Sequence, residues 1–551
     1  MSPNKGSEII TLQFGQYSNF IGTHWWNLQE AGFDYTPDLI SDINHDVLFR
    51  EGLNHRKEVT FTPRMLLVDL KGSLQTCVND LYEDVTTQAD ILNSITTWSP
   101  DKVEIVNDSS TSSSKTNEFQ EDLKKLENNR EGVLSEVVDY KDYNLEDNVN
   151  YWSDFMRTRY HPRSFNVVNE YQHGNTGQPF DCYLQGVEVW KSEAMCEEWT
   201  DKVRAFVEEC DCLQGFQILS DATSGFAGLC SSSLQHLKDE YSTKATLVFP
   251  VTPPRTSESD FKLRTVNTVL MMASLGELAD MFSPLSLSPD CWNQTETYRQ
   301  FPLLEYKPSL LYHSSAIVSS LLDTLSLSYR LRGGSGLSLR DLCSFLTPVG
   351  RKAATTSLSL PWPMKHAQSL LECLEQWEGP LSTPLTPYSN LDEVAIQVLN
   401  LRGEDGHKMF PKDMSNRDRS SNPAYSCTTV HELFQYFLSC DMPRTLHRVY
   451  SSSQPIKTIN PYPDFFSKRV SNHGCVNEPL EEKERVKHVP MLGGLHCCQG
   501  SGAMLSDLHS AVRRINIKTL PAFLSLDKTD FDETLEAVMS LSDNYKDEYE
   551  L

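Results

Sequence analysis

An α/β fold, a parallel sheet covered by helices on both faces, is predicted for this chain by three observations. Apolar strand-like runs alternate with helical patterns over most of the first 280 residues, and that order is the signature of βαβ units. Runs such as Met65 to Leu70 are apolar along their length, as a strand buried on both faces requires. At 551 residues and 62.6 kDa the chain exceeds what one core usually serves, so two or three units are expected.

The first unit begins with an apolar run at Ile9, Ile10 and Leu12, a glycine at Gly15, and Ile21, Trp25 and Leu28 at helical spacing. Met65 to Leu70 is the second strand. From 99 to about 150 the composition changes: a TSSSK patch occurs, and residues 101–150 hold thirteen acids against six bases, which reads as a solvated acidic insertion. Order returns at Tyr151 and Trp152, followed by a strand near Phe165 to Val168. A helix then places Met195, Trp199, Val203, Phe206 and Val207 on one face. Strand Phe216 to Leu219, a small-residue turn, helix Leu229 to Tyr241 and strand Ala245 to Phe249 continue the alternation. Val269, Met272, Leu275 and Leu278 mark another helix. Beyond the Pro-bearing stretch Ser283 to Pro308, a long apolar helix, Leu310 to Tyr329, leads into a second region. There Val394, Ile396 and Val398 suggest a strand, Gly403 to Pro423 a loop, and Leu505, Leu508, Val512 and Ile515 a helix. The last twenty-five residues carry nine acids against two bases, with Phe531, Leu535 and Val538 at helical spacing.

Composition narrows the functional classes. Lys plus Arg number 49 against 75 Asp plus Glu, a formal charge of −26, which repels phosphate backbones and anionic lipid. Direct nucleic-acid binding is therefore not expected. Mean hydropathy is −0.42 and no run of eighteen apolar residues occurs, so no transmembrane segment is expected. The fourteen cysteines have no CxxC spacing, and the amino terminus has neither a secretory nor a matrix-targeting pattern. A cytosolic chain with free thiols is the expectation.

The eight-residue string from Cys210 to Gln217, CDCLQGFQ, resembles the segment preceding the phosphate loop of tubulins. Gly15-Gln16 with Asn19, Ile21 and Gly22, and Pro63-Arg64 followed by Val68-Asp69-Leu70, are tubulin-like too, and fall in the same order. Together with the acidic insertion, the Thr23-His24-Trp25-Trp26 helix and the divergent second half, the chain resembles the Misato family. Those tubulin-related proteins are associated with mitochondrial distribution and morphology. The resemblance implies a tubulin/FtsZ-like Rossmann-type nucleotide-binding domain over 1–304, an α+β intermediate-like domain over 305–440, and a helical C-terminal region with an acidic tail over 441–551.

A tubulin-type GTPase needs phosphate-facing glycines, a magnesium shell and a guanine reader. The family's glycine-rich signature falls on Ala222 to Gly228 and keeps Gly225 and Gly228, with Phe226 where backbone should approach phosphate. The first loop keeps Gly15, Gln16 and Asn19 but carries Tyr17 and Ser18 in place of small residues. The second keeps Asp69 but has Lys71 in place of an acid. Base reading would fall on Pro284 to Leu287 and on Ser314 or Ser315, with Tyr312 available to stack. The water-activating acid is replaced by Ser344, beside Arg340 and Asp341, and Asp341 reads best as a helix-starting acid. His173 to Gly177 reads as an ordinary loop rather than a phosphate-facing turn, and Gly493 to Gly502 as a strand-turn-helix connection rather than a cysteine nucleophile or metal site. Cys210 and Cys212 read as a buried structural pair.

The resemblance thus leaves Gly15, Gln16, Asn19, Asp69, Gly225 and Gly228 as a vestigial nucleotide-binding set, with no catalytic residue and no metal ligand. No cofactor is expected; GTP with magnesium is the alternative. The expected function is that of a pseudo-GTPase regulating mitochondrial distribution and morphology through protein interactions. The rivals are a divergent active GTPase and an adaptor for tubulin, its chaperones or the cytoskeleton. Expected partners are proteins at the mitochondrial outer surface or cytoskeleton, with tubulin or its folding machinery among them. The expected location is the cytoplasm, peripheral to the mitochondrial outer membrane.

Overall fold

The computed structural model describes residues 7–33, 41–53, 59–73, 117–128, 138–254, 261–288, 292, 298–332, 336–389, 391, 394–404, 406–411, 422–476 and 482–546. The stretch 74–116, the tail 547–551 and much of the expected loop 403–423 lie outside them.

The first sheet is built from β1 (Ile9–Phe14), β2 (Met65–Lys71), β3 (Phe165–Gln172), β4 (Gly215–Asp221) and β5 (Ala245–Thr252), in the order β3-β2-β1-β4-β5. Two-residue strands at Met281–Phe282 and Leu285–Ser286 pair with β5, giving seven strands, all parallel. Strand β1 is central and buried at every position. Its alternation sends Ile10, Leu12 and Phe14 into the core beneath one helical layer and Ile9 into the core on the opposite side. Helix α1 (Gln16–Ala31) leaves β1 through Gly15, whose φ of 104° lies in the region that favours glycine. On one face lie α2 (Tyr183–Lys191), α3 (Glu193–Glu208), α4 (Gly225–Glu240) and α5 (Phe261–Leu278). The other face is covered by α1 and by α6 (Leu311–Leu325), which is buried from Tyr312 to Leu325.

A second, mixed sheet packs beyond α6. It is formed by β6 (Thr355–Ser359), β7 (Val394–Arg402), β8 (Leu446–Ser452) and β9 (Met491–Cys498), with Thr383–Pro384 at one edge. Strand β9 runs antiparallel between β6 and β7, and β8 pairs parallel with β7. The stretch 441–551, expected as a helical region, therefore supplies two strands of this sheet, one of them central. Its helices α9 (Gly500–Arg513) and α10 (Lys528–Asp543) pack back on the first unit, in the same core as α5, with α7 (Leu339–Leu346) and α8 (Val430–Asp441) preceding them in the chain. Ser542 Oγ donates to the Gly502 carbonyl at 2.8 Å, and the Tyr545 hydroxyl both donates to the Ala353 carbonyl and accepts from its N–H. The amphipathic pattern of the last helix holds: Phe531, Leu535, Val538 and Leu541 are buried.

Three further expectations change. The described part of the acidic insertion docks on the core: a helix, Glu118–Asn128, buries Phe119 against Tyr143 with ring centroids 5.3 Å apart. Gln120 reaches the Met156 carbonyl at 2.9 Å. The Cys210 and Cys212 pair is not buried, for Cys212 is exposed and Cys210 half-buried; the string is held instead by Glu8, which accepts from the Asp211 and Cys212 N–H groups. The long helix expected to Tyr329 breaks after Leu325 and resumes as one turn, Leu327–Arg330.

Between α6 and the second sheet lies a buried ionic group. Asp323 pairs with Arg330 at 2.9 Å and with Arg402 of β7, and all three side chains are at least 95% buried. Burial alone would raise the Asp323 carboxyl. The two guanidiniums outweigh that and hold it below the ordinary carboxylate range. A cross-sheet chain continues from Tyr329, whose hydroxyl donates to Gln217 at 2.7 Å, while Gln217 donates to Thr11 at 2.7 Å.

Candidate functional site

The site that the sequence points to lies at the carboxyl ends of β1, β2 and β4, where an open parallel sheet places its ligand crevice. Parallel register sets Phe14 beside Ser220 and Val68, so the residues that follow these strands meet. Gly15 and Asp221 face each other there, and Asp69 stands near the end of β2.

Asp221 was not singled out by sequence, yet it dominates the geometry. Its Oδ1 accepts from the Ser18 N–H and the Ser18 hydroxyl, each at 2.8 Å, and its Oδ2 accepts from the Tyr17 N–H at 3.1 Å. The free N–H groups of a helix's first turn, together with its dipole, form an anion site. At the start of α1 a carboxylate of the chain itself holds that position. It sits so close that a Cβ added to Gly15 would lie 2.5 Å from Asp221 Oδ2. Burial pushes the Asp221 carboxyl up to about 7; the Ser18 and Tyr17 hydrogen bonds oppose that shift and the Asp69 charge adds to it.

Asp69 is fully buried and equally committed. Its Oδ2 accepts from Asn19 Nδ2 at 3.0 Å and from Trp152 Nε1 at 2.8 Å, and its Oδ1 accepts from the Leu70 N–H at 2.8 Å. Burial raises its carboxyl and those donors pull it back. Asn19 also reaches the Val68 carbonyl at 3.3 Å. Thus Gly15, Asn19 and Asp69 come together as the sequence indicated, with Gln16 opening α1 beside them. Asn19 Nδ2 and Trp152, at the insertion's far end, both donate to Asp69, while Asn19 Oδ1 is buried without a partner. Lys71 is exposed at the tip of β2.

Gly225 and Gly228 take a different place. They lie on the face of α4 that meets α2: a Cβ on Gly228 would come within 1.9 Å of the Tyr183 carbonyl oxygen, and one on Gly225 within 2.7 Å of the Phe180 ring. Gly186 of α2 meets the Gly225 carbonyl in the same way at 1.8 Å. These glycines let two helices touch backbone to backbone. Phe226, expected to protrude toward phosphate, is buried against Phe180 with centroids 5.0 Å apart. The turn before α4 is tied to α5 by Asn267, whose Nδ2 donates to the Thr223 and Asp181 carbonyls at 2.8 and 2.6 Å. Gly228→Ala is therefore expected to lower stability by about 1–3 kcal/mol through overpacking, seen as a lower Tm at equal magnitude with or without nucleotide.

The base-reading positions are also internal. Tyr312 is buried, its ring 5.1 Å from His24 and 5.3 Å from Phe155, and its hydroxyl donates to the Pro461 carbonyl. His24 bonds the Tyr312 carbonyl at 3.0 Å, and burial lowers its imidazole to about 3. Ser314 and Ser315 are buried within α6. The Tyr17 side chain is buried as well, and burial pushes its phenol above the ordinary range. Ser344 is exposed, and Asp341 accepts from the Ser338 hydroxyl at 2.6 Å while the Ser338 oxygen accepts the Asp341 N–H, a reciprocal helix-start pair.

The remaining motifs resolve simply. Gly493 to Gly502 forms the end of β9, a turn and the start of α9. Cys497 and Cys498 are buried there, and His496 is shared between Ser357 at 2.7 Å and Gln397 at 3.0 Å. His173 to Gly177 is an exposed turn in which the Asn175 side chain accepts the Gly177 N–H at 3.0 Å. Among the described residues no group of three His, Cys, Asp or Glu side chains is arranged to hold a metal ion.

A nucleotide with magnesium does not fit the residues as they stand. A phosphate on the first turn of α1 would have to displace Asp221. Sequence reasoning saw the lost glycines but missed Asp221, Trp152 and Asn267. Only Asp221 left a signal, an acid closing a strand whose neighbour is followed by Gly15.

Comparison with known proteins finds tubulin-like relatives. Residues 7–125 match the Misato Segment II tubulin-like domain, and residues 143–331 match the Tubulin domain. Over 98% of both chains the sequence is 33% identical to Protein misato of Drosophila melanogaster. It is 31% identical to Protein misato homolog 1 of Danio rerio over 98% of this chain and 97% of that one. Protein DML1 of Phaeosphaeria nodorum is 32% identical over 63% of each.

Proposed function

Because the chain belongs to the Misato family of tubulin-like proteins, we propose that it is a pseudo-GTPase that regulates mitochondrial distribution and morphology through protein interactions. The observation that carries the loss of nucleotide chemistry is the Asp221 carboxylate on the first turn of α1. It occupies from within the place where a GTPase takes its substrate's phosphate. Tyr17 fills the neighbouring space in the same sense. The mitochondrial part of the reading comes from the family. Among the described residues no helix is long and apolar enough to cross a membrane. The proposed partners are proteins of the mitochondrial outer surface or cytoskeleton, with tubulin and its folding machinery as candidates, and the proposed location is the cytoplasm with peripheral association at the outer membrane.

Calorimetric titration of the purified chain with GTP and magnesium tests the loss of nucleotide chemistry, alongside a phosphate-release assay. No saturable heat and no phosphate release above buffer are expected. Robust hydrolysis that disappears in Gln16→Ala would overturn the pseudo-GTPase reading and favour an active enzyme.

A further inference from the structure

A cationic surface stands out on a chain whose formal charge is −26. It is built on the antiparallel pair Ile456–Lys457 and His488–Val489, in which Lys457 lies directly opposite His488. His473 stacks on His488 with ring centroids 6.4 Å apart and planes within 3°. Lys487 is exposed and sets its ammonium 4.8 Å from the centroid of the Tyr140 ring. Arg485 is fixed alongside by Asn460 at 2.6 Å.

Among the described residues neither Lys457 nor Lys487 forms an ion pair with a carboxylate, whereas the neighbouring Lys483 pairs with Asp464 at 3.3 Å. Burial first, and then the charges of Lys457, His473 and Lys487, hold the His488 imidazole below its ordinary value, and no carboxylate is among the groups acting on it, so the positive charge of the surface comes from Lys457, Lys487 and Arg485. Lone lysines are common on surfaces and mean little. Two unpaired lysines and an arginine meet at or beside one pair of strands, against two stacked imidazoles, and make a locally basic surface in a chain with 26 more acids than bases.

We propose that the surface formed by Lys457, His473, Arg485, Lys487 and His488 docks a short acidic peptide segment of a partner protein. The screening length decides in favour of a peptide. At physiological ionic strength fields decay over about 8 Å, so a short segment senses this patch alone. A membrane or a nucleic-acid duplex extends beyond it and is pressed against the acidic remainder. Steering of this kind raises association rate and gives selectivity while burying little area.

Fluorescence anisotropy of a fluorescein-labelled eight-residue polyglutamate peptide, titrated with the full-length chain, provides the test. Binding is expected, weakening steeply between 50 and 300 mM salt and at least tenfold in the double variant Lys457→Glu, Lys487→Glu. The milder Lys457→Gln, Lys487→Gln pair should weaken it less, and both variants should keep the parental Tm. Absence of peptide binding, or binding indifferent to both double variants, would overturn the proposal. So would phosphatidylserine vesicles or a single-stranded oligonucleotide binding more tightly than the peptide with the same loss in the variants, since the surface would then serve a lipid or a nucleic acid. A gain in peptide affinity on deleting residues 547–551 would overturn it as well, by making the chain's own acidic tail the occupant.

Discussion

Asp323→Ala is expected to destabilise the protein by about 3–5 kcal/mol, because it leaves two buried guanidiniums without their counter-ion. Arg330 and Arg402 are 1% and 5% exposed, and both are aimed at the one carboxylate. Arg402 belongs to β7 and Asp323 to α6, so the change also unties the second sheet from the helix it packs on. Urea unfolding should show the midpoint falling with little change in slope. Replacing all three, as Asp323→Leu with Arg330→Met and Arg402→Leu, should recover most of the loss. Apolar groups of similar volume carry no desolvation penalty. A loss below about 1 kcal/mol in the single variant, the scale of an exposed pair, would mean that the group is not sequestered as described.

The stability of the wild-type chain relative to Asp221→Asn is expected to fall as pH rises from about 4 to about 7. Burial raises the folded-state carboxyl to about 7, against about 3.9 in an unfolded chain. Within that window the folded state holds a proton that the unfolded state has released. Stability from this group is then full below the unfolded pKa and is lost as pH climbs through the folded one. At about 1.36 kcal/mol per unit the whole span is on the order of 4 kcal/mol. The asparagine variant has no proton to exchange at this position, so the difference between the two unfolding free energies isolates the group. A difference that stays flat from pH 4.5 to 8 would show that Asp221 is ionised throughout, held by the Ser18 and Tyr17 donors and the dipole of α1 rather than opposed by burial.

These two sites show where local pattern runs out. Both carboxylates were plain in the sequence, but apart from Arg330, seven residues from Asp323, their partners are distant in the chain. Asp221 meets Tyr17 across 204 positions, and Asp323 meets Arg402 across 79. Phe226 misled for the same reason. Its place in a degenerate signature suggested a ring aimed at phosphate, and only the packing of α4 on Phe180 turned it into the core.

The sequence by itself determined the strand-helix alternation, the positions of β1, β2, β4 and β5 to within a few residues, the amphipathic last helix, the family, and the loss of the phosphate-loop glycines. All of these are written in spacings of two to four residues or in contiguous strings, which a linear reading can see. Tertiary structure alone decided that Met491–Cys498 is a central strand of the second sheet, that Gly225 and Gly228 join two helices, that the described part of the acidic insertion docks on the core, and that Asp221 caps α1. The physical reason is that each depends on strand register and helix packing between distant segments. Parallel pairing of β1 with β4 brings Asp221 to the start of α1 and makes a side-chain carboxyl, rather than a ligand, the acceptor of its first N–H groups.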